Sequence, residues 1–270
     1  MKKKMSPLAK AYITLVLAFL QLPILVLIAY SFNESKSRGV WTGFTFDWYA
    51  KMLQDSAIMS ALGTTLVCGL LAALISTIIG TAAAIGLNSM KRKAYNLTLT
   101  VAYIPMLNAE IVMGISLMML YTLLDIELGF FTLLLSHITF CLPYVVLSVM
   151  PKVRQFDYSR YEAALDLGAT PSYALRKIVI PDLMPGIISG FLLALTLSID
   201  DFIISFFTTG NGVNNLSTVI YTMAKRGVSP KLNALSAIVY VVIMILLICI
   251  NVIPKKDDDN RNKKRVAERN

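Results

Sequence analysis

Histidine is nearly absent from this chain, with one in 270 residues, and there are only three cysteines. That supply can build neither a disulfide framework nor a paired-cysteine zinc site. Cys68, Cys141 and Cys249 each lie in an apolar run and read as small packing residues. Charge is also scarce. Charged residues make up 15% of the chain, against about 25% in ordinary soluble domains, which excludes a soluble globular fold. The 56% hydrophobic content excludes disorder, because too much apolar surface would face water. A GxxxxGK(S/T) phosphate loop is missing, so the chain is expected to be non-catalytic toward ATP.

Long stretches free of lysine and arginine are what the sequence has in abundance. All 25 basic residues fall outside six apolar runs, at roughly 11–32, 57–87, 97–123, 129–150, 183–208 and 232–254. Each exceeds the ~20 residues that carry a helix across ~30 Å of hydrocarbon. Buried helices of a soluble protein would need polar faces, which these runs lack. The first run follows three lysines and resembles a signal peptide, but it is too long and has no small-x-small cleavage site. The sequence therefore predicts an all-α polytopic membrane protein with six transmembrane helices in 11–254, flanked by tails at 1–10 and 255–270. Pro23, Pro105 and Pro143 are expected to kink their helices. Gly63, Gly69, Gly80 and Gly86 would allow close helix approach.

With the N-terminus inside, 19 of the 25 basic residues fall in inner segments. The positive-inside rule thus places both termini in the cytoplasm. Lys225, Arg226 and Lys231, in the last outer loop, are the exception. The net charge of +9 belongs to this pattern and to anionic membrane lipid, not to nucleic acid. Outside, the segment 33–56 concentrates Trp41, Phe44, Phe46, Trp48 and Tyr49, an interfacial belt or a docking surface for an external partner.

The inner loop between the fourth and fifth runs carries its own structural signals. Ser159 and Glu162 have capping-box spacing. Gly168 sits where a left-handed glycine would end that helix. Thr170 and Pro171 can cap and open a second helix, and Pro181 is expected to end it. The result is a cytoplasmic hairpin over 159–181. Its short first helix, with Tyr161, Ala163, Ala164 and Leu165, needs a partner to be stable.

Glu162-Ala163-Ala164, then Gly168, then Ile178-Val179-Ile180-Pro181, resembles the EAA loop of binding-protein-dependent ABC importer permeases. Ile180 is the one departure, standing where the family pattern has Leu. The resemblance covers about 60–265 and implies a type I ABC importer permease fold. It further implies that the helix at 160–167 docks in a cleft of an ABC ATPase. Tyr161, Glu162, Ala163, Ala164, Leu165, Gly168 and Pro181 are its coupling residues. Implied partners are a second permease chain, two ATPase copies that carry the ATP and Mg, and an extracytoplasmic substrate-binding protein. No cofactor is expected on this chain.

Three of the 16 acidic residues lie within runs: Glu110, Asp200 and Asp201. Such groups are costly in a bilayer, roughly 2.5–3.5 kcal/mol each on insertion scales, and should face a watery cavity or the bundle interior. Neighbouring helical residues point ~100° apart, so Asp200 and Asp201 cannot both face one axis; the other would bond a neighbouring helix or cap a break. Counted along continuous helices, all three acids lie in the outer half of the membrane. The stretches 110–117, 136–143 and 197–202 resemble the spermidine/putrescine importers of the same family. That resemblance implies a polyamine cargo with Glu110 and the aspartate pair as ammonium contacts. Tyr103, Tyr121, Phe202 and Phe206 are candidate cation–π partners. A different ABC cargo such as a metal or anion, or a proton-coupled carrier, remains the alternative. His137 reads as a hydrogen-bonded structural group, with a proton relay as the other reading.

Overall fold

The computed structural model describes residues 6–35, 40–210, 212–227 and 229–267, with side chains through residue 248 apart from Pro7. Expectations for the first lysines, for Cys249 and for the side chains of 255–270 fall outside that set. The described residues are almost wholly helical: α1 (Pro7–Ser31), α2 (Asp47–Leu53), α3 (Ser56–Asn88), α4 (Arg92–Leu107), α5 (Glu110–Leu123), α6 (Phe130–Gln155), α7 (Tyr158–Asp166), α8 (Pro171–Ala174), α9 (Ile180–Asp200), α10 (Ile203–Thr208), α11 (Leu216–Arg226) and α12 (Pro230–Ala267). A π-helical turn, Leu175–Val179, joins α8 to α9. The only bridge of extended backbone among these residues pairs Asn33 with Phe44.

Five helices are long and apolar enough to cross a membrane, and a bent pair makes a sixth candidate. That pair is α4 and α5, which the sequence predicts as one continuous helix. They meet at 103°. Pro105 has no N–H to continue the ladder, and Asn108 and Ala109 are both extended. The fifth run also breaks: Asp201 is extended, and α10 starts two residues later. The depth counted for Glu110 along a continuous helix does not hold across the first break, whereas Asp200 is reached along α9 before the second.

Pro181 does not end a helix. It stands in the first turn of α9, and Pro171–Asp200 forms one 30-residue helix. The π turn accommodates it: the Ile180 N–H reaches back five residues to the Leu175 carbonyl, widening the helix just before the proline ring enters.

The chain divides into two contact units, Ala61–Thr218 with Ile243–Asn270, and Met1–Ser60 with Val219–Val242. The larger has its core between α6 and α9. Phe140, Val145, Val149 and Val153 of α6 cluster there with Leu183 and Ala194 of α9, and Ile204 of α10 joins the same core. Gly186 and Gly190, four apart on α9, let α6 approach: a Cβ on Gly186 would lie 3.2 Å from the Ser148 carbonyl oxygen and 3.3 Å from Val149 Cα. This small-xxx-small pattern packs helices where lipid offers no hydrophobic contrast. On α3, Gly80 serves the same purpose against Val145, and Gly69 lies against Ile199, while Gly63 and Gly86 face open space. Cys68 and Cys141 are buried, and the Cys141 thiol donates to the Ala194 carbonyl at 3.4 Å.

In the smaller unit the aromatic segment folds onto itself. Phe32 stacks on Phe44 at 5.1 Å, and Phe46 meets both edge-on. The Trp48 indole donates to the Asn33 carbonyl at 2.8 Å. Asp55 accepts the Ala57 and Ile58 N–H groups and pairs with Lys231. The Lys231 hydrogen bond holds its carboxyl below the usual carboxylate range.

Candidate functional site

Both helix breaks open onto one cavity of about 300 Å³, lined by Glu110, Phe140, Thr196, Leu197, Asp200, Asp201, Phe202 and Ile203. α10 packs against α5 and α6. Gly114 makes the first contact possible: an added Cβ would meet the Phe207 ring at 3.0 Å and backbone atoms of Ile203 and Ile204 at 3.4 Å. Glu110 lies one turn before Gly114, on the same helical face. Its position as the first residue of α5 also suits a carboxylate, since unpaired amides make that helix end positive.

Asp200 and Asp201 diverge. Asp200 is exposed to the cavity. Asp201 is 8% exposed and caps α10. Its Oδ1 accepts the Ile204 N–H at 3.2 Å, and its Oδ2 accepts the Ser205 N–H at 2.8 Å and the Ser205 hydroxyl at 2.9 Å. The side chains of Glu110 and Asp200 have no hydrogen bond or ion pair among the described residues. The lining residues include no lysine or arginine.

Of the four aromatic candidates, only Phe202 lines the cavity. Phe206 packs on Phe202 at 5.5 Å and is half exposed. Tyr121 is buried with its hydroxyl bonded to Ser136 at 2.9 Å. Tyr103 packs against the apolar core. Tyr103, Tyr121 and Phe206 are not among the residues that line the cavity. Phe140 and Thr196 were not foreseen. Thr196 stands four residues before Asp200, so helical periodicity alone could have found it. His137, 2% exposed, bonds Ser198 and Ser205, consistent with a structural group.

The hairpin over 159–181 has a different N-cap from the one its spacing predicts. Asp157, not Ser159, caps α7: its Oδ1 accepts the Ser159 N–H at 3.1 Å. Helix α7 starts at Tyr158, two residues before a capping box on Ser159 could open, so Glu162 cannot reach back as that box requires. Gly168 takes φ +86°. Its N–H bonds the Leu165 carbonyl at 2.9 Å, and the Ala169 N–H bonds Ala164 at 3.0 Å, the paired bonds of a Schellman ending. Thr170 then caps α8 through the Tyr173 N–H at 3.4 Å. Glu162 and Ala163 are exposed, Ala164 and Leu165 half-buried. Tyr161 turns toward the chain's own core, with Tyr158, Leu175 and Val179 around the same hollow. The outward apolar groups are Leu167, 90% exposed, and Tyr173, 57% exposed. Neither belongs to the motif, and no spacing in the sequence marks either one.

Residues 76–254 match the family described as binding-protein-dependent transport system inner membrane component. The chain is 39% identical over 244 residues to the spermidine/putrescine transport system permease protein PotC of Escherichia coli (strain K12), covering 90% of this chain and 92% of that protein. It is 38% identical over 241 residues to the putrescine transport system permease protein PotI of the same strain, covering 87% and 86%. Among solved structures, a chain of a bacterial ABC transporter involved in the import of the acidic polysaccharide alginate superposes with a TM-score of 0.67 at 16% identity, over 92% of this chain and 94% of that one. That likeness concerns the fold. The family match and the identity over most of the chain are decisive together: the chain belongs to the family of binding-protein-dependent transport system inner membrane components.

Proposed function

We propose that this chain is one of two permease subunits of an ATP-driven importer for polyamines such as spermidine and putrescine. The observation that carries the cargo is the cavity at the two helix breaks. Of the three carboxylates that line it, Glu110 and Asp200 have no cationic neighbour among the described residues, and Phe140 and Phe202 stand beside them. An elongated cation with separated ammonium groups supplies the missing charge at both ends, and ring faces hold its cationic groups. The names of the PotC and PotI relatives support the same class. The second permease chain completes the pore wall, and an extracytoplasmic binding protein delivers cargo. Both termini are cytoplasmic, which puts the hairpin within reach of two ATPase copies that hold ATP and Mg. Closure of those ATPases moves the hairpin through its exposed surface of Ala163, Leu167 and Tyr173.

The test is labelled polyamine uptake by the assembled complex with binding protein in excess. Glu110→Gln and Asp200→Asn each replace a charge-assisted hydrogen bond by a neutral one, so apparent affinity should fall about ten-fold or more. Wild-type uptake by both variants overturns carboxylate recognition and leaves family membership intact.

A further inference from the structure

We infer that His137 is a positioning residue that bolts the broken fifth span, and so sets the spacing between Asp200 and Glu110 that reads the length of the cargo. This rests on the cavity reading above. His137 does not line the cavity. It is buried on α6, and its two ring nitrogens reach opposite sides of the break. Nδ1 lies 2.5 Å from Ser198 Oγ in the last turn of α9, and Nε2 lies 2.9 Å from Ser205 Oγ in the first turn of α10. Ser198 is two residues before Asp200.

Donor accounting gives the set one direction. The Ser205 hydroxyl has a single proton, which it donates to Asp201 Oδ2 at 2.9 Å. It then accepts from His137 Nε2–H, a nitrogen that also lies 3.5 Å from Asp201 Oδ2. In the neutral ring Nδ1 then accepts from the Ser198 hydroxyl. The chain of donors runs from α9 through α6 to α10 and ends on a carboxylate that already caps α10. Each hydroxyl and ring nitrogen is used, as a dry site requires.

The helix ladder is interrupted after Asp201, so backbone hydrogen bonds alone do not fix the direction of α10 relative to the end of α9. The ring supplies that restraint from α6, a helix held to α9 by the close approach at Gly186 and Gly190. Glu110 is held separately, by the seat of α10 on Gly114. The two carboxylates thus stand on different elements, and the bolt holds the distance between them.

The experiment uses the full complex with its binding protein and an equimolar mixture of labelled putrescine and spermidine. The binding protein is the same throughout, so a changed uptake ratio belongs to the membrane chains. His137→Leu should shift the diamine-to-triamine ratio and lower uptake per assembled complex about three- to ten-fold, the range expected from losing one or two buried hydrogen bonds. Ser198→Ala removes only the α9 side of the bolt and should shift the ratio in the same direction by less. His137→Gln, which can still donate toward Ser205, should recover part of the effect. An unchanged ratio in Ser198→Ala, with His137→Leu lowering only the amount of assembled complex, overturns the inference and leaves His137 as a packing group. Should Glu110→Gln and Asp200→Asn keep wild-type uptake, the cavity reading fails and takes this inference with it.

Discussion

The turn at Gly168 and the break at Asp201 both end one helix and begin another, yet they satisfy the freed backbone with different chemistry. At Gly168 the work is done by the main chain, through two N–H to carbonyl bonds and a left-handed residue. Water reaches the remaining groups, so few side chains are committed. At Asp201 the surroundings are mostly apolar helices, and little water reaches the freed groups. A carboxylate, two serines and a histidine, all nearly buried, replace it. An interruption at the aqueous surface needs a backbone geometry. One inside the membrane needs a set of polar side chains, and those carry charge and function with them.

The largest effect should come from removing the side chain that closes the inner break. Asp201→Ala leaves the Ile204 and Ser205 amides without their acceptor, at about 1–3 kcal/mol for each buried group. The detergent-solubilised complex should lose thermal stability and assembled yield together; a wild-type melting profile contradicts the comparison. Gly168→Val comes next. It forces a β-branched residue into the left-handed region at about 1–2 kcal/mol or more. Its damage should be local, with the ATPase lost on purification and uptake lost, while the melting of the membrane helices stays unchanged.

A smaller effect separates Asp157 from Ser159. Asp157→Ala should raise amide exchange across Tyr158–Asp166, whereas Ser159→Ala should change it less, because the cap is the aspartate carboxylate. Equal changes in both would restore the capping box predicted from the spacing. The smallest effect is the pH dependence of that cap. Hydrogen bonds from Ser159 hold the Asp157 carboxyl below its ordinary range. Its contribution is therefore fully present above the usual carboxylate pKa and is lost as pH falls through the lowered value. Exchange protection of α7, corrected for intrinsic rates, should be flat at neutral pH and fall only in acid.

The same contrast explains what the sequence could disclose. The hairpin was legible because surface turns use a small vocabulary: Gly168, Thr170 and Pro171 were each placed from their residue type. Its N-cap was not, since Asp157, Ser159 and Glu162 all offer plausible capping spacings and only the backbone decides among them. Apolar runs gave the membrane helices but not their breaks. Hydropathy is blind to a change of direction: Pro105 and the aspartate pair marked where a kink and a cap could fall, but not that the chain turns by 103° after Leu107. The carboxylates stood out as expensive residues in an apolar setting. Their common cavity did not, because it depends on which helices turn. The aromatics followed from this error: Tyr103 and Tyr121 were chosen by nearness along a continuous helix that the chain does not make.

Pro171 to Asp200 is one helix of 30 residues, with the π turn standing where Pro181 would otherwise have cut it. At 1.5 Å per residue it extends on the order of 45 Å. One end emerges from the turn at Thr170, and the other terminates in the carboxylate exposed to the cavity. In mechanical terms it is a lever, helical along its whole length although Pro185 contributes no N–H to its ladder. A tilt of roughly 10° about its middle displaces each end by on the order of 4 Å in opposite senses, more than the length of a hydrogen bond. Under the proposed coupling, a tilt driven at the Thr170 end therefore reaches Asp200 as displacement.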